Sequence, residues 1–325
     1  MTSPTAKEMR LQVTALHPEA IDILSLTLAD PDGLALPPAG PGAHITLRLA
    51  EKLVRQYSLY NGPGEKRHYH IAVKREADSR GGSEAVHRLR VGDIVRVAPP
   101  DNKFPLDRSA RHLVLLAGGI GITPLLSMAK DARRRGQSFE LHYFARTPQH
   151  AAFHDFLASH VFASHVQFHF GVEADAVGAR MDALLRGAPT GSQLYVCGPN
   201  AFIDRARSVA ASCQALSAVH WESFTAEPGS RPAAEATSGF AVRLARTGKT
   251  LRVDPGKTIL QVLQENGVAV DCSCMEGVCG LCITRVLEGE PEHRDEVLSD
   301  EERRSGDLMT VCVSGCKGDL LVLDI

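Results

Sequence analysis

The chain has 325 residues, 44% of them hydrophobic, and 36 Lys and Arg against 38 Asp and Glu leave a net charge of −2. That length predicts two or three domains with packed cores, and a charge so near zero gives neither nucleic acid nor an anionic membrane an electrostatic footing. The opening MTSPTAKEMRLQV lacks a signal-peptide core, and the most apolar stretch, HLVLLAGGIGITPLLSMA, is broken by Gly118, Gly119, Gly121 and Pro124; a soluble, cytoplasmic chain is expected.

Up to about Leu106 the segments LQVTAL, ILSLTLA, HITLRL, RQYSLY, YHIAVKR and DIVRVAP are strand-length, several with period-two alternation, and Gly and Pro punctuate them. A helix shows only around EAVHRLR, so residues 1–107 predict an antiparallel β-barrel. From His112 the rhythm changes. HLVLLA, FELHYFA, VQFHF, QLYVCG and AVHWESF alternate with the helical patterns PLLSMAKDARRRG, HDFLASHV, ARMDALLRG and AFIDRARSVAASC, which predicts an α/β parallel sheet over 108–226. Residues 227–238, rich in Pro, Ala, Ser and Glu, read as a linker. Over 239–325 a hairpin (FAVRLAR, KTLRVD), a short helix (ILQVLQENG), a cysteine loop and the closing strands ITRVLEG, LMTVCVS and DLLVLDI predict an α+β ferredoxin-like unit of β-grasp type.

That loop holds Cys274, Cys279 and Cys282 as C-x4-C-x2-C, and Cys312 follows in TVCVSGC. The spacing is that of a plant-type [2Fe–2S] cluster, whose irons take four soft thiolates. Gly277 and Gly280 suit a loop that must curl around such a group. Two alternatives stand beside this reading. Cys279/Cys282 with Cys312/Cys316 also form C-x2-C…C-x3-C, a structural zinc pattern, and disulfides are a third use of the same residues. Cys272 and Cys316 fall outside the cluster spacing and read as small apolar residues or spare thiols.

In the sheet segment LAGGIGITP follows the first strand. Gly118, Gly119 and Gly121 let a pyrophosphate approach backbone N–H groups, Thr123 can cap the following helix, and Pro124 fits its first turn. The third glycine of G-x-G-x-x-G is missing, and an ordinary tight strand–helix turn is the plain alternative. Cys197, Gly198 and Pro199 of YVCGP form a second loop at the same sheet edge, able to line a nicotinamide ring. In the barrel segment Arg55 can pair with a phosphate, Tyr57 can cover a flat ring and Ser58 can donate to a ring nitrogen. Gly81, Gly82 and Ser83 of RGGS can hold the same phosphate. A surface Arg and a core Tyr on an ordinary strand would look the same. The 14 histidines show no metal spacing.

RQYSL, RGGS, GGIGITP, YVCGP and the C-terminal cysteine set, in this order, resemble the phthalate dioxygenase reductase family over nearly the whole chain. The resemblance implies an FMN-binding barrel, an NADH-binding sheet domain and a C-terminal [2Fe–2S] domain. It also implies FMN contacts from Arg55, Tyr57, Ser58, Val73, Lys74, Gly82 and Ser83, with Phe224 near the flavin face, though Phe224 can equally be a core residue. Arg146, after the second strand of the sheet, is compatible with a 2′-phosphate, but the family habit is NADH. The expected reaction is hydride transfer from NADH to FMN, with Ser58, Cys197 and Phe224 at the reacting rings. One-electron delivery through the cluster to a separate Rieske-type oxygenase follows, in a small, transient contact made by a monomer. A reductase for a cytochrome P450 or another monooxygenase is the competing expectation, and a zinc-stabilised nucleotide-binding module the remote one.

Overall fold

A computed structural model describes residues 8–50, 53–77, 79–224 and 239–325. They divide into two compact units, Met1–Ser223 and Phe224–Ile325. The expected linker at 227–238 lies outside the described residues.

The first unit opens with six antiparallel strands: β1 (Met9–Ala20), β2 (Ile23–Ala29), β3 (His44–Ala50), β4 (Leu53–Ser58), β5 (His68–Lys74) and β6 (Ile94–Val97). Their order is β4-β3-β6-β1-β2-β5. An isolated antiparallel bridge between Leu59, just past β4, and Ile71 on β5 joins the two ends of the sheet. Period two is plain in β6, where Val95 and Val97 are buried while Ile94 faces outward. The inward set fills the barrel with Leu11, Leu26, Leu28, Ile45, Leu47, Ile71 and Val73. The single helix expected here is α1 (Gly82–His87), which packs on β4 and β5.

Five parallel strands follow: β7 (His112–Gly118), β8 (Ser138–Ala145), β9 (Val166–Phe170), β10 (Ser192–Gly198) and β11 (Leu216–Ser223). Their order is β11-β10-β7-β8-β9. The intervening helices are α2 (Ile122–Arg135), α3 (His154–Ala158), α4 (Ala176–Gly187) and α5 (Asn200–Ala210). β7 reads as one apolar run because both its faces are covered. Leu113, Leu115 and Ala117 face the α2 side, and Val114 and Leu116 face α4 and α5. The α2-side core also takes in Ile23, Ala72, Phe104 and Leu106, so the barrel and the sheet share buried surface.

The second unit holds β12 (Phe240–Leu244), β13 (Thr250–Val253), α6 (Ile259–Glu265), β14 (Ile283–Glu288), β15 (Pro291–Glu292), α7 (Asp300–Ser305), β16 (Leu308–Thr310), β17 (Gly315–Cys316) and β18 (Leu320–Leu323). The main sheet runs β13-β12-β18-β14-β16. Its β12–β18 pair is parallel and the rest antiparallel. Thr258 starts α6 with a reciprocal capping box to Gln261. Only Leu308–Thr310 of LMTVCVS is strand; the chain then turns, which places Cys312 in the turn rather than in a ladder.

Candidate functional site

The cysteine loop has no helix or strand from Val270 to Leu281, so side-chain and turn geometry shape it. None of the eight cysteines is joined in a disulfide. Four of them converge: Cys274 is in hydrogen-bonding reach of Cys279 and Cys312, and Cys312 of Cys282. Those contacts hold the Cys274 thiol well below its ordinary range. Backbone N–H groups also turn toward sulfur. Glu276 N–H donates to Cys274 Sγ at 3.3 Å, Val278 N–H donates to the same residue, and Leu281 N–H donates to Cys279. Four converging thiols ringed by amide donors suit an anionic iron–sulfur group, which needs thiolates and hydrogen bonds to sulfur. Gly277 makes the curl possible: its φ is 76°, and a Cβ there would sit 2.7 Å from Val313 Cγ2 and 3.0 Å from Asp295 Cα. Cys316 lies on β17, paired with Pro291, so the zinc grouping of Cys279, Cys282, Cys312 and Cys316 is not the one assembled. Cys272 is half-buried against the same core.

Sequence reasoning missed the prop behind this loop. Glu296 N–H donates to Gly277 O at 3.1 Å. Buried Asp295 accepts from Leu298 N–H at 2.9 Å and from Ser314 Oγ at 3.4 Å. Arg303, on α7, donates to the Asp295 carbonyl at 2.6 Å. α7 itself was not expected, although Ser299 and Glu302 form a capping box legible as S-x-x-E.

In the barrel, Arg55 donates to Val54 O and to Arg80 O, each at 2.8 Å. Its stem lies so close to Gly82 that a Cβ there would come within 2.6 Å of Arg55 Cγ and Nε. RQYS and RGGS are therefore one structure, with the guanidinium laid across the glycine loop. Any side chain at Gly82 would displace it. This arginine-and-glycine cradle suits a phosphate. Ser83 Oγ accepts from Glu76 N–H at 3.1 Å and donates to Ser79 Oγ at 3.0 Å. Lys74 Nζ contacts Glu76 at 3.0 Å, and the carbonyl of buried Val73 meets His87 Nε2 at 2.9 Å. Burial raises the Tyr57 phenol far above its usual range, so it stays a neutral ring.

Ser58 leads to a residue that the sequence reading passed over. Its Oγ donates to Glu222 Oε2, across the barrel–sheet join, at 3.2 Å. Glu222 stands beside Cys197 in the β10–β11 register. Burial pushes the Glu222 carboxyl up to about 7, against the lowering effect of the Ser58 hydrogen bond. The same burial raises the Cys197 thiol, so it is not a thiolate. Ser58, Cys197 and Glu222 thus form a polar cluster in which burial disfavours the charged forms of Cys197 and Glu222. Phe224 follows directly after β11 and is 39% exposed, which removes it from the core.

The two glycine-bearing loops of the sheet meet. A Cβ on Gly121 would lie 2.2 Å from the Cys197 carbonyl oxygen, and one on Gly198 would lie 3.0 Å from Gly118 Cα. Gly119 to Gly121 form a 3-10 turn that runs into α2. Thr123 does not cap this helix: it sits inside the first turn and donates to Ile120 O at 3.1 Å. The cap position is Gly121, with no side-chain cap, so the amides at the turn are not answered by a side-chain cap. Pro124 is buried within the first turn, where no donor is needed. Arg146 is exposed after β8.

Among the described residues, Glu65, His68 and His70 bring ligand atoms within 4.8 Å of one another.

Residues 242–317 match the 2Fe-2S iron-sulfur cluster binding domain. Residues 94–218 match the N-terminal domain of dimethylamine monooxygenase subunit DmmA-like proteins. A vanillate O-demethylase oxidoreductase from a Pseudomonas species is 44% identical over 316 residues, covering 96% of this chain and 98% of that protein. The solved phthalate dioxygenase reductase, described as a modular structure for electron transfer from pyridine nucleotides to [2Fe-2S], is similar with 38% identity and a TM-score of 0.72, over 98% of each chain. An intact type IV self-sufficient cytochrome P450 monooxygenase is similar over all of this chain but 43% of its own length, with 32% identity and a TM-score of 0.82.

Proposed function

This chain belongs to the phthalate dioxygenase reductase-like family, and from that premise we propose that it draws electrons from NADH, through FMN and a [2Fe–2S] cluster, for a separate Rieske-type aromatic oxygenase or demethylase. It is an oxidoreductase, the reductase component of an oxygenase system. The observation that carries the reading is the convergence of Cys274, Cys279, Cys282 and Cys312 under backbone N–H donors, in the same chain as the Arg55–Gly82 cradle. When bound, the flavin supplies the exchange of a hydride's two electrons for single electrons, and the cluster supplies one-electron carriage.

The chain's own residues do the rest. Arg55, Gly81, Gly82 and Ser83 would hold the FMN phosphate, and Tyr57, Val73 and Lys74 would line the flavin. Ser58 would turn its one hydroxyl proton from Glu222 to the flavin ring nitrogen, and Glu222 in its protonated form would then donate to Ser58 Oγ. Gly118, Gly119, Gly121, Thr123 and Pro124 would take the NADH pyrophosphate. Cys197, Gly198 and Pro199 would border the nicotinamide, with Phe224 as the aromatic cover. These groups orient two rings and exclude water rather than supply a strong acid or base. Plant-type clusters lie near about −400 mV and Rieske centres between about −150 and +300 mV, so delivery to a Rieske oxygenase runs downhill. We place the reductase in the cytoplasm as a monomer that meets its oxygenase transiently; among the described residues no helix is long and apolar enough to cross a membrane. The P450-type acceptor is the second reading, supported by the likeness to a self-sufficient P450.

Replacing Cys279 by Ser tests the path. NADH-driven cytochrome c reduction is expected to fall more than tenfold, while ferricyanide reduction, served by the flavin alone, is largely retained. Equal survival of both activities would remove the cluster from the route. Reconstitution with purified Rieske and P450 acceptors, followed by NADH consumption, separates the two partner readings.

A further inference from the structure

Residues 65–70 read E-x2-H-x-H. His68 and His70 are two apart on β5, so both side chains leave one face of the strand. Tyr69, between them, is buried in the barrel. Glu65 sits at the end of the turn that precedes β5, and its Oε1 accepts N–H groups from Arg67 at 2.7 Å and His68 at 3.2 Å. That folds the carboxylate back over the strand, 3.5 Å from His68 Nδ1. Asn61 fixes the backbone from the other side: it donates to His68 O at 2.7 Å and accepts from His70 N–H at 2.8 Å. Thr27 Oγ1 lies 3.1 Å from His70 Nδ1, the outer contact that orients a ligating imidazole and leaves Nε2 with the lone pair. One ligand atom from each of the three residues falls within 4.8 Å of the others. Beside them lies an open cleft of about 770 Å³, with Glu65, His70, Glu19 and His17 in its wall. Lys130 shares the cleft, its ammonium held on the Tyr60 carbonyl at 2.9 Å.

We propose that Glu65, His68 and His70 bind one borderline divalent metal ion of the zinc class through a carboxylate and two imidazoles. Two imidazoles and a carboxylate form the donor set that zinc, copper(II), nickel and cobalt share. Three protein ligands leave at least one coordination position for water on the cleft side. The site shares no residue with the cysteine loop or with the Arg55–Gly82 cradle. A surface ion pair between Glu65 and His68 would use two of these groups; it would not use His70 or the Thr27 contact.

The test is zinc titration of the full-length, flavin- and cluster-loaded chain by calorimetry at neutral pH, where cluster ligation keeps Cys274, Cys279, Cys282 and Cys312 from competing. One equivalent is expected. It should weaken at least tenfold in Glu65→Gln, weaken about 10- to 100-fold in Thr27→Val through loss of the outer contact, and vanish in the His68→Ala/His70→Ala variant. Copper(II) bound to the unsubstituted, oxidised protein should show electron-paramagnetic splitting from two nitrogens, a readout that needs no variant to fold. Undiminished zinc uptake by the double variant, or a copper signal without two nitrogens, would overturn the assignment.

Discussion

A carboxyl group enclosed next to a serine hydroxyl keeps its proton longer than one in water, and Glu222 pays that penalty in the folded state. Its carboxyl is pushed up to about 7 from 4.5. Between those values the folded chain holds a proton that the unfolded chain has released, so stability is full below about pH 4.5 and falls as pH rises toward 7 and beyond. Glu222→Gln removes this dependence. Urea unfolding at pH 5 and pH 8 should show the unsubstituted protein losing about 2–3 kcal/mol more than the variant over that interval; parallel losses would mean that the carboxyl is solvated. Glu222 was not legible beforehand because a single Glu within AVHWESF looks like any outward residue of a strand. What gives it a partner is Ser58, which lies far away in sequence. The cysteines are the opposite case. Their proposal as a ligand set came from spacing alone, because Cys274, Cys279 and Cys282 lie close together in one loop.

Among the elements, the turn from β7 into α2 and the end of β10 behave as one unit. Gly121 packs against the Cys197 carbonyl with no room for a methyl group. In Gly121→Ala one of the two loops must shift. Such a shift is expected to raise the KM for NADH about tenfold or more while flavin content stays unchanged; loss of flavin together with NADH affinity would place the damage in the barrel instead. Strands such as β2 and β7 were plain from their sequence patterns, Leu24, Leu26 and Leu28 alternating with Ser25 and Thr27 in one and a continuous apolar run in the other. α7 was not, because DEERRS carries no apolar period; its signal was the capping box at Ser299 and Glu302. Thr123 misled in the other direction. Serine and threonine near a helix start suggest a cap, but the 3-10 turn at Gly119–Gly121 moves the start so that Thr123 falls within the helix.

For the molecule as a whole, the parallel sheet carries an acid liability. His169, buried on β9 with its Nε2 3.3 Å from His142 Nδ1, is held down to about 4 by burial first and by His142 second. Below about pH 6.5 the unfolded chain takes up a proton that the folded chain refuses, so stability is complete above that value and drains away as pH falls toward 4. Relative to His169→Phe, the unsubstituted protein should lose about 2 kcal/mol more between pH 7.5 and pH 5. The single tryptophan, Trp221 on β11, reports unfolding of this sheet by fluorescence.

The sequence alone determined the kinds of element, their order along the chain and the four-thiol set, because periodicity, turn chemistry and close spacing act between near neighbours. Strand order was decided only in three dimensions. β11 takes the edge beside β10, the barrel joins the sheet along a shared core, and so Ser58 finds Glu222. Asp295 likewise reaches the loop at Gly277 only once the second unit has folded. These pairings depend on which apolar faces bury one another across long stretches of chain, and no local pattern of residues encodes that choice.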